Sequence, residues 1–99
     1  MGKARILVVD DDETFRGLLC RELSRRGYQP TPSEGVRAAI LLVGREEFDV
    51  ALVDLRMPDG DGLEVVRATR AASPRTEVIV LTGHGSIDTA VDAMRAGAT

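Results

Sequence analysis

Apolar residues along this 99-residue chain switch repeatedly between two periods, and that switching predicts the fold. Ile6-Leu7-Val8-Val9, Val50-Ala51-Leu52-Val53 and Val78-Ile79-Val80-Leu81 are short, continuous and rich in β-branched residues. Such runs suit strands buried on both faces. Between them the period lengthens. Phe15, Leu18, Leu19 and Leu23 fall on one helical face, with Asp12 as N-cap, Glu13 in the first turn and Arg25-Arg26-Gly27 as the end. A weak strand is expected near Tyr28 to Thr31, at a sheet edge because Pro30 and Pro32 interrupt it. Ser33 opens a helix carrying Val36, Ala39, Ile40 and Val43 and ending at Gly44. Another helix runs from about Leu63 to Ala71-Ala72, before Pro74. The last is capped by Ser86, shows Ile87, Ala90, Val91 and Met94, and ends at Gly97.

This βαβαβαβα order predicts an α/β, flavodoxin-like parallel sheet with helices on both faces. The expected strand order is 2-1-3-4, with the first and third strands adjacent at the switch point where ligands of open α/β sheets bind.

Bulk properties narrow the class. The length suits one domain, residues 1–99, burying roughly 65% of its unfolded surface. Net charge is −3, which argues against nucleic acid or an anionic membrane as partner. The single cysteine, Cys20, permits no intrachain disulfide and suits a reducing cytoplasm. No apolar stretch approaches a membrane span or a signal-peptide core.

The chemistry lies at the strand ends. The first run ends in Asp10-Asp11-Asp12, the second in Asp54 and the third in Thr82. Capping explains Asp12 well, but Asp10 belongs to the strand itself. Asp10, Asp11 and Asp54, with the backbone carbonyl of Arg56, would supply the oxygens Mg²⁺ prefers. Asp54 reads either as a cap for the next turn or as a nucleophile toward phosphorus, and the second reading is favoured. Thr82 is either an ordinary strand-end hydroxyl or the donor to a phosphoryl oxygen on Asp54. His84 has no evident partner and is expected on an exposed loop, while Cys20 is expected to pack without chemistry. Pro58-Asp59-Gly60-Asp61-Gly62 reads as a turn, with its glycines permitting positive φ and Asp61 capping the following helix.

At these residues the chain resembles a response-regulator receiver domain of bacterial two-component signalling. The matching blocks are Ile6 to Asp12, Asp49 to Gly62, Val80 to Ser86 and Ala93 to Ala98. The last is most similar to receivers of sigma-54-dependent transcription activators. The resemblance implies that Asp54 accepts a phosphoryl group from a sensor histidine kinase. It also implies that Asp10 and Asp11 hold Mg²⁺ and that Thr82 senses the phosphoryl oxygen. It implies a signalling domain rather than an enzyme.

The family continues into a fifth strand, bearing an aromatic and a lysine, and a fifth helix; this chain stops at Thr99, before both. Lys3, the only lysine, enters the first strand at its far end. Without a fifth strand the Val78–Leu81 strand is expected to be an exposed edge, and a homodimer through that edge or by element exchange is anticipated. Two other functions compete. One is an oligomerising scaffold without phosphorylation. The other is a haloacid-dehalogenase-type Mg²⁺ phosphatase using Asp10 as nucleophile, since Asp10, Asp12 and Thr14 mimic its DxDxT signature.

Overall fold

The apolar runs lie side by side in a computed structural model that describes residues 3–81 together with Ile87, Ala90 and Val91. In chain order the elements are β1 (Arg5–Val9), α1 (Glu13–Arg25), β2 (Gln29–Ser33), α2 (Val36–Arg45), β3 (Val50–Asp54), β4 (Arg56–Met57), β5 (Gly60–Asp61), α3 (Gly62–Ala72) and β6 (Glu77–Leu81). The main sheet is parallel, in the order β2-β1-β3-β6. This is the flavodoxin-like order expected from the sequence, with β6 in fourth place. The two-residue strands β4 and β5 form a separate antiparallel hairpin.

Side-chain alternation divides the core into two layers. Leu7, Val9, Ala51 and Val53 face Val36, Ala39, Val43 and Val65 of α2 and α3. Ile6, Val8, Val50 and Leu52 face Leu19 and Leu23 of α1, with Ala90 and Val91. β1 and β3 are wholly buried from Ile6 to Val9 and from Val50 to Asp54, which explains their unbroken hydrophobicity.

Asp12 caps α1 by accepting from Phe15 N at 3.0 Å, and Gly27 closes that helix end at φ +92°. Three local expectations are corrected. Ser33 does not open a helix. It ends β2, its hydroxyl bonds Gly35 O at 3.1 Å, and Gly35 occupies the N-cap of α2. Leu18, assigned to the buried face of α1, is 48% exposed, because Phe15, Leu19 and Leu23 already fill the sheet-facing stripe. Gly44 lies inside α2, which continues to Arg45. β6 lies at the edge of the described sheet, with Val80 exposed. The anticipated final helix bounds at Ser86 and Gly97, and His84, lie outside the described residues.

Candidate functional site at the strand tips

Register and parity place the acids. Val9 pairs with Val53 across the β1–β3 ladder, so Asp10 and Asp54 occupy the next rung. Both continue the side-chain series of Val8 and Leu52 and thus emerge on the same face. Carboxylate oxygens of Asp10, Asp11 and Asp54 all lie within 4.8 Å of one another. Asp10 and Asp54 are buried and Asp11 is exposed, so the cluster is sunk at two members and open at the third. At an effective dielectric of ~20, like charges this close repel by about 3–4 kcal/mol per ionised pair.

Backbone contacts hold the tip of β1 and the turn after β3. Asp10 N donates to Ser33 O at 3.2 Å, and Asp10 Oδ1 accepts from Asp12 N at 2.9 Å. Arg16 Nη1 donates to the Asp10 carbonyl at 2.6 Å, which brings a guanidinium to the tip of β1. This cation is absent from the sequence reading; its position one helical turn beyond Asp12 is the signal that could have revealed it. Beyond Asp54 the chain turns into the β4–β5 hairpin, and Gly62 N returns to Leu55 O at 3.3 Å. Asp61 caps α3 through Leu63 N at 2.9 Å, as expected. Arg56 lies in β4, opposite Asp61. On the other side of β3, Asp54 pairs with Leu81 of β6; Thr82, the next residue, lies outside the described residues.

The donor set is chemically uniform. Among the described residues the cluster holds three hard carboxylates and neither histidine nor thiolate, a set that suits Mg²⁺ or Ca²⁺ better than zinc. Asp12, needed by the phosphatase alternative, is instead the α1 cap. Cys20 is a half-buried free thiol, which burial pushes above the ordinary value, with Arg16 opposing the shift. A groove of about 600 Å³ between Arg5, Phe48, Ser73 and Arg75 is lined by none of Asp10, Asp11 and Asp54. No described helix is long and apolar enough to cross a membrane.

These features define a receiver-type α/β domain with an acid cluster at its switch point. The sequence pattern of the response regulator receiver domain matches residues 6–99, and the chain belongs to that family. Photosynthetic apparatus regulatory protein RegA of Rhodovulum sulfidophilum is 45% identical over 94 residues, covering 95% of this chain and 51% of RegA. The chain thus spans about half the length of that relative. A Burkholderia pseudomallei response regulator, solved with a phosphorylated aspartic acid, calcium ion and citrate, superposes with TM-score 0.78 at 38% identity. That match covers 97% of this chain and 56% of the other. The response regulator TrrA of Thermotoga maritima, solved in complex with Mg²⁺ and BeF, gives TM-score 0.76 at 33% identity over 91% of this chain and 80% of TrrA. Receiver domains are in general signalling modules rather than enzymes.

Proposed function

We propose that this chain is a phospho-acceptor whose Asp54 takes a phosphoryl group from a sensor histidine kinase. The supporting observation is the meeting of Asp54 with Asp10 and Asp11 at adjacent strand tips, within 4.8 Å oxygen to oxygen. An Asp54 oxygen forms the new bond to phosphorus as the donor's P–N bond breaks, and the departing imidazole keeps the electron pair and gains a proton. Asp10, Asp11, Asp54 and the backbone carbonyl of Arg56 are the ligands assigned to Mg²⁺. When bound, the ion would neutralise charge on these carboxylates and on the incoming phosphoryl oxygens. Thr82 is assigned the hydrogen bond to a phosphoryl oxygen. The domain catalyses no turnover of its own and works in the cytoplasm. The relative solved with a phosphorylated aspartic acid supports the chemistry, and the one solved with Mg²⁺ supports the metal.

Incubation with Mg²⁺ and acetyl phosphate, followed by mass spectrometry, tests this reading. Label is expected on Asp54, lost in Asp54→Asn and strongly reduced when EDTA removes the ion. Label on Asp54→Asn equal to the parent's would sink the acceptor assignment, and label on Asp10 would restore the phosphatase alternative.

A further inference from the structure

Helix α2 begins without a cap of its own. Gly35 stands at its N-cap and no local side chain bonds the first turn. Free N–H groups at a helix start must find partners elsewhere. Here the partner comes from beyond β3. Asp59 accepts from Val36 N at 2.9 Å through Oδ1 and from Arg37 N at 3.2 Å through Oδ2. Asp59 sits between β4 and β5, at the tip of the hairpin that follows Asp54.

The packing is reciprocal. A Cβ on Gly35 would lie 2.8 Å from both Asp59 oxygens, so the carboxylate reaches both amides only because residue 35 lacks a side chain. At the hairpin's other end, a Cβ on Gly62 would press on the Asp54 carbonyl and lie 2.8 Å from Leu55 Cα. Met57 is buried in the core layer that also holds Val36. On the α2 side, Ser33 Oγ bonds Gly35 O, and Ser33 O accepts from Asp10 N. A closed circuit therefore runs from Asp10 through Ser33, Gly35 and Asp59 to the hairpin, and through Gly62 back to Asp54.

We propose that Asp59 is a positioning residue, which ties the acceptor loop to the start of α2 and thereby sets the Leu55–Arg56 backbone beside the acid cluster. The metal-linked part of this inference rests on the phospho-acceptor reading. The two amide bonds to Asp59 also hold its carboxyl below the usual range, as a cap held in its charged form requires.

Two variants break the tie from opposite sides. Asp59→Ala removes the carboxylate, and Gly35→Ala displaces it from a different element. Calorimetric titration with Mg²⁺ below the unfolding temperature should show each weakening binding by about tenfold, as lost supports of ligand groups do. The double variant should be no weaker than either single one, and Asp59→Asn, which retains one acceptor oxygen, should recover most of the affinity. Thr76→Ala serves as the control: it removes a hydrogen bond to Phe48 O away from the cluster and should leave affinity unchanged. Affinity within about twofold of the parent in either single variant, or an equal loss in Thr76→Ala, would overturn the assignment (twofold is a difference of about 0.4 kcal/mol). If the parent itself binds no Mg²⁺, the phospho-acceptor reading fails, and amide exchange of the metal-free protein judges the tie separately. Exchange at Gly62 N about tenfold faster in Asp59→Ala supports it; unchanged exchange defeats it.

Discussion

Gly62 shows how much of this site depends on a missing methyl group. Its φ is not positive, so its value is not the conformational freedom its loop first suggests. It is needed because the Asp54 carbonyl and Leu55 Cα occupy the place where a Cβ would sit. Gly62→Ala would therefore push directly on the backbone of the acceptor residue. We expect a loss of about 1–3 kcal/mol in denaturant unfolding, the usual range for overpacking, together with slower labelling by acetyl phosphate. A variant as stable and as reactive as the parent would show that the loop yields without cost. Gly60 differs: at φ +157° it carries a backbone that other residues rarely adopt.

Among the elements, the β4–β5 hairpin carries the most unexpected information. Its Asp59 bonds depend on ionisation, and the direction follows from the depressed carboxyl. The stabilising contribution is complete above the ordinary carboxylate value of 3.8 and disappears as acid protonates the folded form below it. The gap in melting temperature between the parent and Asp59→Asn should be constant near neutrality and close as the pH falls below that value. A gap that widens on acidification would reverse the assignment. Strands and helices were legible in the sequence because each is written in a local period: Ile6–Val9 and Val50–Val53 as continuous runs, Val36, Ala39 and Val43 as a helical stripe. The meeting of Asp10 with Asp54 was legible too, from strand-end position and the flavodoxin-like order. The Asp59 tie was not, because it joins residues over twenty positions apart and neither end looks unusual alone. Two clues existed: an Asp59-Gly60 pair suited to a hairpin tip, and a helix start with glycine where a capping side chain usually stands. Ser33 was misplaced for a related reason. A serine near a helix start attracts the capping role, yet the parallel ladder from Val9 to Ser33 claimed its backbone first.

For the molecule as a whole, the sheet β2-β1-β3-β6, with β1 and β3 buried at its centre, separates two apolar layers and leaves the charged ends of those two strands at one rim. Opposite that rim, Arg5 fastens the start of β1 by pairing with Glu46, bonding Glu47 O at 2.9 Å and lying over the Phe48 ring. The acids come from two segments distant in the chain, Asp10-Asp11 and Asp54, which meet only while β1 and β3 are zipped together. An unfolded chain offers no such trio. A divalent ion that selects the closed sheet becomes a reversible staple across its central seam, adding about 2.7 kcal/mol at a hundred times its dissociation constant. Melting temperature should climb with Mg²⁺ concentration in the parent and stay flat in Asp10→Asn. The same seam that receives the signal would then also report whether the domain is intact enough to receive it.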